Sequence, residues 1–406
     1  MPATDTTGAP LPTTTSITPQ PAAPVPPEEA KPEGTFEIYG FTMLDAGYDF
    51  GQIGNPNWQD TMRPTKLPSF DDEFGKGDRT FLGVRQTRFG VKATTPTRAG
   101  EIKTTFEWEL FGVGTDEGQT TFRLRHAVGD WKTLRAGQTW SPFMDIDVFP
   151  NSIEYWGPNG MVFFRNVQLA WMPIQGDSRV TVAIERPGAT ADRGTLADRI
   201  ELDNIVGRYP APDVSAEGRL GGAWGYVELA GILRWFEWDD LDPAAPDLDG
   251  DALGWGLNLS SNIKLGPALL KLQAVYGEGI SNYMNDADVD VGPRLTNDPN
   301  APLDGEALPI LGLVAFADMK WNEMFTSSAG WSYQWVDNSD LQAPDAFHVG
   351  HYALANLLWH PSDKLMIGGE FQFGRRENNS DGFEVNDYKL QVSVKYNFAK
   401  VFGGKP

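Results

Sequence analysis

The 406-residue chain carries 55 acidic against 33 basic residues, a net charge of −22, and no cysteine. That balance offers a polyanion no global basic field, so nucleic acid is excluded as a partner, and disulfides and thiolate metal sites are removed. No apolar run approaches the roughly 18 residues that a spanning helix needs, which leaves a closed β-barrel as the membrane-crossing solution.

Residues 1–34 are rich in Pro, Thr and Ala, cannot bury enough surface to offset ordering, and read as a disordered leader. Met1-Pro-Ala3 has neither a basic start nor an apolar stretch, so the numbering is expected to be that of a mature, exported form. From Thr35 the spacing predicts sixteen antiparallel strands in one transmembrane barrel spanning 35–398. They are placed at 35–49, 79–93, 100–111, 118–129, 131–140, 161–172, 177–186, 212–221, 224–238, 252–265, 268–277, 309–321, 325–336, 347–359, 363–374 and 385–398. Long connections alternate with tight turns, which suits external loops on one rim and periplasmic turns on the other, with both termini periplasmic. Sixteen strands enclose an aqueous channel. Alternation is clean in Leu253–Lys264 and Leu365–Phe373, whereas 35–49, 79–93, 309–321 and 347–359 carry apolar residues in both phases, as a bulge or a protein-covered wall would require. Trp58, Trp140, Trp171, Trp238, Trp321 and Trp359, near strand ends, suit interfacial girdles.

The second to fifth strands place Arg88, Lys92, Lys103, Arg123, Arg125 and Arg135 in the polar phase, a basic ladder on adjacent strands. Glu107 and Glu109 share that wall, so the ladder either pairs internally or keeps a surplus of guanidinium for passing carboxylates. The next connection, 141–160, is aromatic and apolar where the other loops are acidic. Folding inward, as the third external loop, would bury Phe143, Ile146, Phe149 and Trp156 and present Asp145, Asp147 and Glu154 across from the arginines as a constriction. The last strand, Asp387–Phe398, alternates without error between an apolar face and a polar one that reads as the water side. Residues 399–406 then read as a short C-terminal tail.

The runs Trp140-Ser-Pro-Phe-Met-Asp-Ile-Asp-Val-Phe-Pro150, Glu154-Tyr-Trp-Gly-Pro-Asn-Gly160 and Phe163-Phe-Arg-Asn-Val-Gln168 resemble DcaP-like outer-membrane porins. Arg85-Gln-Thr-Arg-Phe-Gly-Val-Lys92 and the terminal Tyr396-Asn-Phe398, which is similar to the signal read by the barrel-assembly machinery, add to the likeness. The resemblance implies a homotrimer in the outer membrane of a Gram-negative bacterium, in contact with lipid and lipopolysaccharide. It also implies passive uptake of small, mainly anionic organic solutes such as dicarboxylates or aromatic acids. Family members can carry a coiled coil ahead of the barrel, and this leader has no heptads.

Acidic loops around Asp239–Asp251 and Asp286–Asp290 offer hard oxygen ligands. Asp247, Asp249 and Asp251 are the candidates for a Ca2+ ion bridging to lipopolysaccharide phosphates, although no EF-hand spacing is present and solvated loops serve as well. His126, His348, His351 and His360 form no catalytic constellation with a nucleophile, and a rim or loop role is expected for them, so no enzyme is read here. The competing architecture is a soluble all-β carbohydrate-active or carbohydrate-binding protein, which abundant Trp, Asp and Glu would suit. It would require a fixed blade period, and none is evident.

Overall fold

The computed structural model describes residues 34–52, 54–196, 200–242 and 248–403. The leader therefore lies outside the described residues except for Gly34. In chain order the strands are β1 (Thr35–Asp49), β2 (Arg79–Gly83), β3 (Arg88–Thr97), β4 (Gly100–Phe111), β5 (Thr120–Trp131), β6 (Leu134–Trp140), β7 (Arg165–Ile174), β8 (Arg179–Glu185), β9 (Ile205–Arg208) and β10 (Asp213–Gly222). They continue as β11 (Gly225–Asp240), β12 (Gly250–Leu265), β13 (Ala268–Glu278), β14 (Val291–Leu295), β15 (Leu303–Ala307), β16 (Pro309–Lys320), β17 (Phe325–Val336), β18 (Phe347–Ser362), β19 (Leu365–Asn378) and β20 (Glu384–Gly403).

Eighteen of these form one antiparallel sheet, and β14 and β15 form a separate hairpin. β2 and β3 are two halves of one wall strand, both paired with β1, and β9 extends only the far end of β11. The wall is thus a closed 16-stranded barrel, sealed where β1 meets β20 from Thr35 opposite Gly403 to Asp49 opposite Lys389. Closure leaves no sheet edge along the seam, which is the condition for backbone in hydrocarbon.

Most strand bounds shift by a few residues from those read in the sequence, and two of the departures change the architecture. The strand expected over 79–93 is interrupted at residues 84–87, which explains its apolar residues in both phases. The expected tail from 399 is wall up to Gly403, because Ala399–Gly403 pairs with Thr35–Tyr39, and only residues 404–406 lie outside the described residues.

The alternation has the expected polarity with an unexpected lining. Outward residues such as Leu229, Leu257, Leu259, Leu390 and Val392 are about half exposed, as a lipid-facing wall requires. Their inward neighbours are not bathed in water: Asp387, Lys389, Gln391 and Ser393 on β20 are buried. Connections entering the lumen cover them, and a hydrophobic cluster containing Phe143, Val148, Met161, Ile280, Met284, Ile310, Phe316 and Tyr352 sits inside the barrel. β16 and β18 therefore carry apolar residues on both faces, one toward lipid and one toward these loops. Trp171, Trp321 and Trp359 are exposed, as girdle residues should be. Trp58 is buried, and Trp140 packs against the lumenal cluster, so those two do not serve as girdle residues.

Candidate functional site

The wall from β3 to β7 gathers four guanidiniums around two carboxylates. Glu107 and Glu109 project inward from β4, one register step apart on the same face. Arg125 donates to both, Nε to Glu107 at 2.7 Å and Nη1 to Glu109 at 2.5 Å, and is itself buried. Arg88 approaches the same pair at 3.6 and 3.5 Å, Arg123 reaches Glu109 at 3.7 Å, and Arg165 reaches it at 3.8 Å. Two negative charges thus face four positive ones. Arg88 and Arg123 keep over a quarter of their side-chain surface open, while Arg125 and Arg165 are enclosed.

Three of the six predicted ladder residues, Arg88, Arg123 and Arg125, meet here. Lys92 lies farther down β3 over the Tyr39 ring. Lys103 and Arg135 line a separate cavity toward the short-turn rim, where Arg135 holds Asp130 at 2.7 Å. Two members were not singled out as site residues. Arg165 was visible only within the Phe163–Gln168 run. His126, expected at a rim or loop, points into the lumen because a bulge between the Glu107 and Trp108 register positions turns Arg125 and His126 inward together. Its Nδ1 lies 3.0 Å from Thr139 Oγ1.

The connection 141–164 runs along the inner wall. Its backbone is held by polar side chains from strand after strand: Asn258 to Phe143 O, Asn262 to Asp147 O, Lys271 to Phe149 O, Asn356 to Asn151 O, and Gln391 to Ile153 O. Polar lumen residues act as a lining for a second layer of chain, satisfying backbone groups that would otherwise be buried unpaired. Gly160 passes so close that a Cβ would lie 2.1 Å from Tyr333 O, and Gly157, at φ +84°, leaves room for the Phe149 ring.

The predicted constriction acids do not face the arginines. Asp145 is buried on the opposite wall, taking Arg219 Nη2, Tyr226 Oη and Ser260 Oγ, each at 2.6 Å. Asp147 pairs with Arg219 Nη1 at 2.6 Å, though about half of its side chain stays exposed. Glu154 is buried at the loop tip, accepting the Met62 amide at 3.1 Å, the Gly157 amide and the Tyr352 hydroxyl. Burial pushes its carboxyl up to about 7, and neighbouring Glu370 adds to the shift, against the amide donors that favour the charge. The loop uses Asp145 and Glu154 as buried anchors, because leaving its buried polar groups unpaired would cost more than burying a paired carboxylate. What the loop presents to the arginine cluster is Tyr155, whose hydroxyl contacts Glu109 and lies 3.5 Å from Arg123, with its ring stacked on Phe111 at 3.7 Å.

Two further connections enter the lumen. Residues 279–290 run beside the first loop, with Phe163 N donating to Tyr283 O and Asn285 N to Met161 O. Residues 54–78 close over both, where Arg63 sits between Trp58 and Trp156 at 4.4 and 3.9 Å and binds Asp286 at 2.9 Å. Beside the arginines remains a cavity of about 280 Å³ lined by Arg123, Arg165, Tyr155, Trp156 and Asn285. Of the Ca2+ candidates, Asp247 lies outside the described residues, and among the described residues no three acidic or histidine side chains gather as a metal site.

The DcaP outer membrane protein family model matches residues 24–207. The outer membrane channel DcaP of Acinetobacter baumannii shares the fold at a TM-score of 0.75 and 21% identity, over 90% of this chain and 97% of that one. An anion-selective porin from Comamonas acidovorans aligns at 0.56 and 10% identity, over 90% and 100% of the two chains, and a trimer form of OmpT from Vibrio cholerae at 0.54 and 12%, over 90% and 99%. No curated protein matches the chain. The family model thus falls on the segment that carries Glu107, Glu109 and their arginines, and the solved structures share the closed barrel fold over 90% of the chain.

Proposed function

We propose that this chain is a DcaP-like outer-membrane porin that passes small, mainly anionic organic solutes, dicarboxylates or aromatic acids, by facilitated diffusion across an arginine-lined constriction. The observation that carries the reading is the imbalance of four guanidiniums over two carboxylates, with Arg88 and Arg123 open to the lumen. A passing carboxylate can take a bidentate contact from Arg123. Burial, together with the Glu109 charge, pushes the pKa of the adjacent Tyr155 hydroxyl up, so it stays protonated as the donor to Glu109 and holds the loop beside the arginines. No energy input is implied, since field and width alone decide what passes. The long loops would stand at the cell surface and the short turns in the periplasm, in a homotrimer, as in the trimer form of the OmpT relative.

The test is the reversal potential of the purified protein in a planar bilayer under a salt gradient, compared with that of Arg123→Ala. An anion preference that falls in the variant supports the arginine filter. Cation preference in the wild type would make the acidic loops dominant, and unchanged selectivity in the variant would remove Arg123 from the filter.

A further inference from the structure

The cavity of about 550 Å³ toward the short-turn rim differs from the arginine cluster in both charge and surface. One side is a row of alternating sign. Lys103 stands opposite Asp130 in register, Arg135 holds Asp130 at 2.7 Å, and Arg179 holds Glu217 at 3.0 Å. Lys103 and Glu101, two residues apart on one face of β4, have no ion-pair partner among the described residues. The other side is an apolar shelf unusual for a water-filled lumen, built from Trp140, Met144 and Ile146 at the start of the inward loop and from Met172 on β7. Trp140 separates this shelf from the cluster above, its ring 5.4 Å from the Arg125 guanidinium and 5.0 Å from that of Arg165.

A lining that is nearly neutral yet locally bipolar cannot rank solutes by net charge. It can hold one that carries both signs at one end and an apolar body at the other, since each end then meets a complementary partner. We propose that this vestibule is a second solute station, selective for zwitterions with an apolar body, such as α-amino acids with aromatic or branched side chains. Lys103 takes the carboxylate, Glu101 takes the ammonium, and the Met172–Ile146 shelf takes the side chain. The inference rests on the porin reading above, and it adds a class of solute that the arginine cluster alone would not favour.

The test is current block in a planar bilayer by L-phenylalanine, benzoate and succinate, applied to the wild type, Lys103→Gln and Met172→Ser. The expected result is phenylalanine block that weakens by about tenfold in either variant, the scale of one charged or well-buried contact, with succinate block unchanged. Wild-type channels blocked by succinate but not by phenylalanine would overturn the second station and leave the porin reading standing. Benzoate blocking as strongly as phenylalanine would overturn the zwitterion assignment. Absence of conductance steps altogether would instead strike the porin reading.

Discussion

The two halves of the lumen use the same residue types for opposite ends. On the wall from β10 to β12, Arg219 meets Asp145, Asp147 and Glu228, so one guanidinium is surrounded by three carboxylates and buried under the inward loop. On the wall from β3 to β7, four guanidiniums share two carboxylates and border open volume. A basic residue in a barrel is therefore structural or selective according to its stoichiometry and its access to water, and not according to its phase on the strand. The difference also runs within the arginine cluster, where Arg125 is enclosed like Arg219 while Arg123 is open.

That contrast can be broken most forcefully at Arg125. Arg125→Ala leaves Glu107 and Glu109 buried beside fewer partners and should destabilise the barrel by about 3–5 kcal/mol, whereas Arg123→Ala, a partly exposed contact, should cost no more than about 1 kcal/mol. Denaturant or thermal unfolding of the two variants in detergent separates them, and equal losses would erase the distinction between enclosed and open arginines.

A smaller effect is expected at the loop anchor. Asp145→Asn keeps the volume but loses the charge that holds Arg219, at a cost of about 1.5–3 kcal/mol for the charged hydrogen bonds. The loop should loosen from the β10–β12 wall, seen as raised and noisier single-channel conductance with anion preference retained. Quiet, unchanged channels would mean that the remaining backbone contacts suffice.

The smallest effect concerns pH. The Glu154 carboxyl is raised to about 7 in the fold, from an ordinary carboxylate value in the unfolded chain. A raised carboxylate contributes stability that is fully present below its unfolded value and lost as pH rises through about 7. Loop-tip noise should therefore grow between pH 6 and pH 8, and Glu154→Gln should flatten that dependence. Conductance noise that falls with rising pH would reverse the sign.

The strands were legible because the membrane imposes its alternation locally: Tyr388, Leu390, Val392 and Val394 need no distant residue to declare their face. The anchoring of the loop was not legible, because the groups that fix Asp145 lie more than seventy positions away on β10 to β12. Nor could the sequence tell pore water from a second layer of peptide as the partner of Lys389, which donates to Gln59 O at 2.9 Å. The inward turn of His126 depended on a single bulge, and one inserted residue reverses every face beyond it. The resemblance in Trp140–Gln168 pointed to the correct segment while the roles of its three acids had to come from their contacts.

The seam between β1 and β20 has a kinetic meaning as well. It joins the first wall strand to the last, so the ring can shut only after the entire wall has been made, and the contacts that shut it span the greatest possible separation along the chain. Topologies of that kind are slow to form, and until the final pairing both terminal strands present unsatisfied edges able to capture another chain. Ala399–Gly403, by lengthening that last pairing, adds to the reward for shutting the ring correctly, and shortening the chain at Phe398 would be felt first as slower assembly and more misjoined material, before any change in what the finished channel admits.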